Sequence, residues 1–318
     1  MNYKEKLLNL NKLIGNTPLL KINYKYKDIY RCAYMKAEWY NLTGSIKDRV
    51  AYYILLHSYE KGLIKEDTKI CEVSSGNMGI SFAALGHYLG NSVTICIPKT
   101  MSEERIKIIK SYGANVILTN DFKEAFDLAN RFEAEGYFIP HQFENEYNAL
   151  AHYETTAKEI ASKLNEVPAF IAGVGTSGTL TGCGGYLKEK YNSSIYALEP
   201  IQSSILTCGK SNGPHKIQGL SDDLIPKLYN PSLIKDIIRV DDIDSIVMAQ
   251  KLCKELSLGV GISSGANFLG CVLSGEKNIV SVFSDDNKKY LSTELCDDTL
   301  KSELVDSIEL IDFEVILL

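Results

Sequence analysis

The 318-residue chain is long enough for two domains, and its apolar content of 45% with 23% charged residues is typical of a globular protein. The net charge of −6 is spread along the chain, and no basic stretch interleaved with aromatic residues indicates a nucleic-acid surface. No apolar stretch approaches the roughly 20 residues of a membrane-spanning helix, and residues 1–6 lack the profile of a signal peptide. We therefore expect a cytoplasmic protein that binds neither nucleic acid nor membrane.

The early part of the chain alternates short elements with turns. The pattern predicts an amphipathic helix over 3–13, a turn at 15–18, an extended segment over 19–22 and a strand over 32–38.

Lys47 stands out in the segment that follows. The turn Thr43-Gly44-Ser45 leads into a helical pattern that ends before residue 62, so Ser45 is predicted to be the N-cap. Lys47 then lies in the first helical turn, where the helix dipole disfavours a cation and favours the neutral amine that can attack an aldehyde. Lys47 is therefore a candidate for a Schiff base with pyridoxal phosphate. A solvated surface lysine is the ordinary alternative.

From residue 70 onward, short apolar strands alternate with helices, which predicts an α/β fold with parallel sheets covered on both faces. The first series comprises strands 70–73, 93–97 and 116–118 with helices near 77–89, 102–112 and 122–135. The second comprises helix 147–164, strands 169–172, 195–198 and 279–283, and helices 244–259 and 264–274. The junction at 140–148 is a predicted domain boundary. Residues 311–317 alternate like a half-buried strand, which we expect to be tied down, at a subunit interface.

The loop Gly173-Val174-Gly175-Thr176-Ser177-Gly178-Thr179 joins a predicted strand to a predicted helix. Its backbone N–H groups, at the positive end of a helix dipole, are suited to a phosphate group. Glu199 lies near the distance at which a dinucleotide-binding fold places its acidic ribose partner, so dinucleotide binding is an alternative for this loop.

The eight cysteines lie at positions 32, 71, 96, 183, 208, 253, 271 and 296, without paired spacing. The absence of C-x-x-C clusters disfavours both a disulfide framework and a metal centre. We expect all eight to be reduced core thiols, and we predict no metal site.

Five motifs occur in order across residues 10–295. They are Ile-Gly-Asn-Thr-Pro-Leu at 14–19, Gly-Ser-Ile-Lys-Asp-Arg at 44–49, Ser-Ser-Gly-Asn-Met-Gly at 74–79, the 173–179 loop, and Gly-Ile-Ser-Ser-Gly at 261–265. This set resembles the cysteine synthase and cystathionine β-synthase family of pyridoxal-phosphate enzymes. The resemblance implies a tryptophan-synthase-β-like fold with pyridoxal phosphate in the cleft between two domains. One domain would comprise 1–40 with 147–318, the other 41–146, and the protein would form a homodimer.

The resemblance also implies roles for individual residues. Lys47 would bind the cofactor covalently, and Asn77 would contact its phenolic oxygen. Ser74, Ser75 and Gln142 would bind the substrate carboxylate, although a helix cap is an alternative for Ser75. The phosphate would be held by Gly175, Thr176, Ser177, Gly178 and Thr179. Ser263 would face the pyridine nitrogen, although a helix cap is an alternative for Ser263 or Ser264.

The sequence departs from the family at three places. Ser177 replaces a usual glycine, and Met78 replaces the threonine usual in cysteine synthases. At 218–226, Gln-Gly-Leu-Ser-Asp-Asp-Leu-Ile-Pro replaces a glycine-rich segment, which introduces Asp222 beside Asp223. A carboxylate at Asp222 could accept a proton from water or a thiol and would repel hydrosulfide. A solvent-facing cap is the alternative for one of the two aspartates.

The resemblance implies β-replacement on a Cβ-substituted amino acid through an aminoacrylate, in cysteine and sulfide metabolism. Because of Asp222, we favour the conversion of L-cysteine and water to L-serine and hydrogen sulfide. Cysteine synthase acting on O-acetylserine, or a cystathionine-synthase-like addition of a thiol, is the alternative. Some family members bind the tail of a serine acetyltransferase, which Met78 and Asp222 disfavour here. A binding protein without cofactor and a dinucleotide-dependent oxidoreductase are the alternatives from other classes.

Overall fold

A computed structural model of the protein describes residues 2–211, 213–221 and 224–316. Its helices are α1 (Tyr3–Asn11), α2 (Lys47–Glu60), α3 (Asn77–Leu89), α4 (Glu103–Ser111), α5 (Phe122–Ala134), α6 (Glu146–Ala151), α7 (Ala157–Lys163), α8 (Gly178–Tyr191), α9 (Ile205–Cys208), α10 (Asp242–Leu256), α11 (Ile262–Leu273) and α12 (Glu303–Asp306). Its strands are β1 (Leu19–Tyr26), β2 (Ile29–Ala37), β3 (Lys69–Val73), β4 (Ser92–Pro98), β5 (Asn115–Thr119), β6 (Ala169–Gly173), β7 (Ser194–Pro200), β8 (Ile234–Val240), β9 (Asn278–Phe283) and β10 (Ile308–Ile316).

Within the described residues, these strands form two separate sheets. The larger sheet has the order β10-β1-β2-β9-β6-β7-β8, and the smaller sheet has the order β3-β4-β5. The smaller sheet is parallel. The larger sheet is parallel from β2 to β8, whereas β1 runs antiparallel to both β2 and β10. The predicted α/β fold with mostly parallel sheets is therefore confirmed.

Apolar side chains cover both faces of each sheet. In the larger sheet, Leu198 packs with α10 and α11 on one face, and Phe170 packs with α7 and α8 on the other. The smaller sheet packs against α2 and α3 through residues such as Ile95, and against α5 through Val73. Continuously apolar strands are expected for sheets that are buried on both sides.

Helix α1 and strands β1 and β2 pack in different places. Leu7 and Leu10 of α1 join the core around α2 and α3, whereas β1 and β2 extend the larger sheet. The division of the chain into domains 1–40 with 147–318 and 41–146 stays a prediction.

The sequence predicts one helix over 147–164, which the structure divides. A π-helical turn at 152–156 separates α6 from α7. The periodicity of 147–164 contains no signal for this interruption, which lies where the turn packs closely against α8.

The predicted C-terminal strand forms, but it begins at Ile308 and is mostly exposed rather than half-buried. It pairs with β1 along its whole length, so the chain itself ties it down. Its apolar side chains Ile311, Phe313 and Val315 remain 38–47% exposed at the edge of the sheet. The predicted subunit interface at this strand stays a prediction.

The expectation of eight core thiols is wrong for three of them. Cys208 and Cys296 are exposed and Cys253 is partly exposed, while the other five are buried. Cys208 and Cys296 end short helical turns at the surface, outside the periodic elements that fill the core. Among the described residues, no helix combines the length and apolar character that crossing a membrane requires.

Candidate active site

One cavity collects the residues that the motifs singled out. It is lined by Lys47, Ser74, Ser75, Asn77, Gln142, Gly175, Thr176, Ser177, Gly178, Thr179 and Ser263. Helices α2, α3, α8 and α11 all begin at this cavity, so their positive dipole ends point toward it. Such a site suits an anionic ligand.

Lys47 is the first residue of α2, one residue later than an N-cap at Ser45 predicts. The Ser45 hydroxyl still accepts a hydrogen bond from the Lys47 backbone N–H at 3.3 Å. The Lys47 Nζ donates to Thr176 Oγ1 at 3.4 Å, which places the amine beside the 173–179 loop.

The turn before Lys47 is fixed by the buried carboxylate of Asp48. Asp48 accepts hydrogen bonds from the Thr43 backbone N–H at 2.6 Å and from the Ser81 hydroxyl at 2.7 Å. Burial raises the pKa of the Asp48 carboxyl, and these hydrogen bonds oppose that rise. Asp48 therefore holds the start of α2 against α3.

The 173–179 loop has no room for additional side-chain atoms at two glycines. A Cβ atom on Gly178 would lie 1.8 Å from Asn148 Oδ1, and one on Gly175 would lie 2.2 Å from the Gly219 carbonyl oxygen. The backbone thus turns tightly into α8. Its N–H groups are available at the start of that helix, where a phosphate is favoured.

Ser177 occupies the left-handed region, with φ of 66°. That conformation costs a residue other than glycine about 1 kcal/mol. The usual glycine of the family avoids this cost, whereas Ser177 places its hydroxyl 3.2 Å from that of Thr181.

Two polar side chains support the loop from behind. Asn148 Nδ2 donates to Thr176 Oγ1 at 2.8 Å, and His152 Nε2 lies 3.3 Å from Thr179 Oγ1. Burial and the nearby Lys47 and Arg49 lower the pKa of His152 to about 3, so its imidazole is neutral at pH 7. The support is therefore uncharged.

Two of the predicted carboxylate-binding residues, Ser74 and Gln142, already hydrogen-bond to backbone groups of neighbouring segments. The Ser74 hydroxyl accepts from the Gly76 and Gly79 N–H groups, both at 2.9 Å, so Ser74 caps α3. Gln142 Nε2 donates to the Val73 carbonyl oxygen at 2.7 Å and to Glu72 Oε1 at 3.4 Å. A substrate carboxylate bound by Gln142 would have to displace one of these acceptors.

Glu72 is a buried carboxyl next to this segment. Burial raises its pKa to about 8, although the Val73 N–H, Gln142 and Lys47 all oppose the rise. Its Oε2 atom has no hydrogen-bond partner among the described residues. Glu72 is therefore mostly protonated at pH 7.

Ser263 and Ser264 differ in their surroundings. Ser264 accepts from the Ser284 backbone N–H at 2.9 Å, so it ties α11 to the segment after β9. Ser263 is 6% exposed and lines the cavity. The Ser264 hydroxyl therefore contacts the segment after β9 rather than the start of α11, so these contacts do not support a helix cap at Ser264.

Asp222 and Asp223 lie outside the described residues, but the preceding segment 218–221 is described. A Cβ atom on Gly173 would lie 2.7 Å from the Leu220 side chain, and the Ser221 N–H donates to the Val174 carbonyl oxygen at 2.8 Å. The segment before Asp222 thus packs directly on the 173–179 loop.

Several cavity residues were missed by the sequence analysis, including Arg105 and Ser284. Arg105 lies in α4 with no motif around it, so its pattern indicates only a surface helix. Ser284 and Asp285 follow β9 directly. Because the carboxyl ends of parallel strands converge on the site in such sheets, that position was a usable signal.

The residues present fit pyridoxal phosphate. The glycine-lined turn leaves space and N–H donors for a phosphate, and the Lys47 amine lies beside that turn. The family model of pyridoxal-phosphate dependent enzymes matches residues 10–285. The chain belongs to this family. Glu199 caps α9 by accepting from the Leu206 N–H at 2.7 Å, so it is not presented to a dinucleotide ribose.

Known relatives place this pyridoxal-phosphate enzyme more narrowly. It is 37% identical to a probable cysteine synthase of Bacillus subtilis over 304 residues, covering 90% of this chain and 97% of that protein. It is 42% identical to a hydrogen sulfide-producing enzyme from Fusobacterium nucleatum, with a TM-score of 0.93 and 98% of both chains covered. The chain is also 42% identical to an Asp-to-Asn mutant of a hydrogen sulfide-producing enzyme, with a TM-score of 0.93 and with 96% of this chain and 97% of that one covered. That structure is lysine-dimethylated and is complexed with an α-aminoacrylate intermediate. The chain is thus a cysteine-synthase-like pyridoxal-phosphate enzyme.

Proposed function

We propose that the enzyme converts L-cysteine and water to L-serine and hydrogen sulfide. The C–S bond of cysteine breaks, a C–O bond to the same carbon forms, and the sulfur leaves with the proton that water supplies. The likeness to hydrogen sulfide-producing enzymes supports release of sulfide. The proposal rests most on the presence of Asp222 directly after a segment that packs on the 173–179 loop.

Lys47 holds the cofactor and moves the first proton in this proposal. When bound, pyridoxal phosphate withdraws electrons from the substrate α-carbon, which eases loss of the β-substituent. The Lys47 ε-amine takes the proton from that carbon and returns it at the end. Thr176 keeps the amine beside the loop through the 3.4 Å contact.

The remaining predicted residues bind and orient the cofactor and the substrate. Backbone N–H groups of 175–179 hold the phosphate, Asn77 holds the phenolic oxygen, and Ser263 offers the pyridine nitrogen a neutral hydroxyl. Ser75 and Gln142 bind the substrate carboxylate, with Ser74 shaping the start of α3. Because a neutral partner weakens electron withdrawal by the ring, this arrangement favours β-elimination over transamination.

Asp222 supplies the second proton transfer. Its carboxylate accepts a proton from water while the water oxygen attacks the β-carbon. The negative charge of this carboxylate also repels the hydrosulfide anion. Attack of sulfide on the β-carbon, as in cysteine synthesis, is therefore disfavoured. Capture of the aminoacrylate in an Asp-to-Asn variant of a structural neighbour supports an aspartate in this role.

Cysteine synthase is the second candidate, and the likeness to bacterial cysteine synthases favours it. In that reaction, sulfide would displace acetate from O-acetylserine at the same carbon. Addition of a thiol in place of sulfide is a further form of the same chemistry. The homodimer predicted from the resemblance stays a prediction.

The substrate assay separates these candidates. The purified enzyme is incubated with L-cysteine alone, with O-acetylserine plus sulfide, and with L-cysteine plus a second thiol, and sulfide, serine, cysteine and thioether are quantified. We expect one serine for each sulfide from L-cysteine alone. Fast turnover of O-acetylserine with no sulfide from cysteine would contradict the proposal, and so would thioether formation without serine.

The Asp222→Asn variant tests the assigned base. We expect it to release about one sulfide per active site from cysteine and then to stop without forming serine, because water is no longer deprotonated. Asp223→Asn is the matched control and should turn over like the parent enzyme. Unchanged turnover of Asp222→Asn would remove the role of this residue.

A further inference from the structure

Asp285 is a fully buried carboxylate directly behind the cavity-lining residues Ser284 and Asn77, and the proposed mechanism does not use it. It follows β9, its backbone forms a bridge with Ser45 near Lys47, and its side chain is 0% exposed. A buried carboxylate without compensating contacts is costly, so its partners indicate what it does.

Asn77 is the first of these partners. Its Nδ2 donates to Asp285 Oδ2 at 2.7 Å, while its buried Oδ1 has no hydrogen-bond partner among the described residues. A carboxylate can only accept, so Asp285 determines which end of the amide faces it. The second amide hydrogen of Asn77 is then free of Asp285, on a side chain that lines the cofactor cavity.

Tyr290 and Arg105 extend the contact to a second residue of the cavity lining, because Arg105 also lines the cavity. The Tyr290 hydroxyl donates to the same Asp285 oxygen at 2.8 Å, and Arg105 Nη2 donates to the Tyr290 hydroxyl at 2.6 Å. The Arg105 guanidinium also lies 4.6 Å from the centre of the Tyr290 ring, and its Nη2 is 3.7 Å from Asp285 Oδ2. Positive charge thus compensates the buried carboxylate.

Arg105 in turn contacts both loops that border the cavity. Its Nη1 donates to the Ser75 carbonyl oxygen at 3.3 Å and to Gln218 Oε1. One loop leads into α3 and the other leads to Asp222. The chain of contacts therefore runs from Asn77 through Asp285, Tyr290 and Arg105 to both loops.

Two glycines leave space for these side chains. A Cβ atom on Gly261 would lie 2.1 Å from Asp285 Oδ1, and one on Gly76 would lie 2.2 Å from Arg105 Cδ. Gly76 also has φ of 143°, which side chains rarely adopt. Glycine at these positions lets both the carboxylate and the guanidinium approach the cavity wall.

We propose that Asp285 is a positioning residue that orients the Asn77 amide toward the cofactor and couples this orientation, through Tyr290 and Arg105, to the loops at Ser75 and Gln218. The inference rests on the proposed cofactor contact of Asn77, not on the choice of substrate. Its failure is therefore separable from that of the cysteine-to-serine proposal.

The test measures the cofactor-loaded enzyme without substrate. Asp285→Asn keeps the shape of the side chain but removes the charge, and an amide that can both donate and accept no longer determines which end of the Asn77 amide faces it. We expect the dissociation constant of pyridoxal phosphate to rise roughly tenfold or more, with a shifted absorbance maximum. Asp286→Asn, at the adjacent and less buried aspartate, should change neither. The proposal would be overturned if Asp285→Asn, like Asp286→Asn, kept the absorbance spectrum and the cofactor affinity of the parent enzyme.

A double-mutant cycle distinguishes positioning from a general structural role. If Asp285 acts through Asn77, Asp285→Asn should have no further effect on cofactor affinity or spectrum in an Asn77→Ala background. Equal effects in both backgrounds would overturn the proposal.

Tyr290→Phe tests the coupling and keeps the proposal falsifiable where Asp285→Asn does not fold. Loss of the hydroxyl removes a donor to Asp285 and the acceptor for Arg105, while the ring remains. We expect cofactor affinity to change less than about threefold, and KM for cysteine or O-acetylserine, whichever is turned over, to rise roughly tenfold. An unchanged KM would overturn the coupling.

Discussion

At the scale of single residues, the motifs located the cavity wall well. Lys47 and Thr176 are 129 positions apart in the chain, yet their side chains meet. The sequence contains no signal for Arg105, because it lies in no motif and acquires its role only from tertiary contacts. The position of Asp285 just after β9 was a usable signal that it lies near the site, but its contacts with Asn77 and Tyr290 were not predictable. Nor could it show that the hydroxyl of Ser74 caps α3, since that depends on the direction of the side chain.

The buried carboxyl of Glu72 predicts a pH effect on stability. Its pKa of about 8 in the folded state lies above the value of about 4.3 expected in the unfolded chain. The stabilisation that it contributes is therefore full below about pH 4 and is lost as pH rises toward 8. The parent should lose this stabilisation as pH rises from 5 to 8.5, whereas Glu72→Gln has no carboxyl to ionise. We therefore expect the free energy of unfolding of Glu72→Gln, relative to that of the parent, to increase over this range, as measured by urea unfolding.

The control for this prediction is Glu135→Gln, which changes an exposed carboxyl at the end of α5. The difference in free energy of unfolding between Glu135→Gln and the parent protein should stay nearly constant between pH 5 and 8.5. A constant difference for Glu72→Gln as well would contradict a raised pKa at this carboxyl.

At the scale of elements, the strand and helix order was predictable because buried parallel strands and the helices between them have distinct patterns. The π-helical turn between α6 and α7 was not predictable, since it depends on contact with α8. A Cβ atom on Gly182 of α8 would lie 2.2 Å from the Ala149 carbonyl oxygen and 2.8 Å from the His152 Cβ. Close approach of the two elements thus requires glycine there.

Two glycines of α8 allow a matched prediction. Gly182→Ala should destabilise the protein by roughly 1–3 kcal/mol, because backbone atoms obstruct the added methyl group. It should also weaken cofactor binding by displacing His152 from Thr179. Gly185→Ala places its methyl group 4.0 Å from the nearest atom and should stabilise the helix by roughly 0.5–1 kcal/mol. Urea unfolding of both variants checks this, and equal effects would contradict the packing described.

At the scale of the whole molecule, a buried ion-pair network joins distant segments of the chain. Arg49 Nε donates to Glu38 Oε2 at 2.6 Å and its Nη1 donates to Glu159 Oε1 at 2.7 Å. Lys36 Nζ also donates to Glu159 at 2.7 Å. Burial alone would raise the pKa of Glu38, but Arg49 and Lys36 hold it at about 2. The network ties α2, and with it Lys47, to β2 and α7.

Removal of Arg49 should therefore destabilise the protein strongly. Arg49→Gln leaves the buried Glu38 without its main counter-charge, which costs roughly 3–5 kcal/mol in comparable buried pairs. Lys107→Gln is the control, because its 2.8 Å pair with Glu103 is exposed and such pairs contribute at most about 1 kcal/mol. Similar losses in the two variants, measured by urea unfolding, would contradict this assignment.

The proposed chemistry depends most on the covalent attachment of the cofactor to Lys47. The loaded enzyme is reduced with borohydride, digested and analysed by mass spectrometry, with Lys47→Ala treated in parallel. We expect a phosphopyridoxyl group on the peptide that contains Lys47 and none in the variant, which should also lack the visible absorbance of the bound cofactor. Attachment to another lysine, or the same label in Lys47→Ala, would contradict the account.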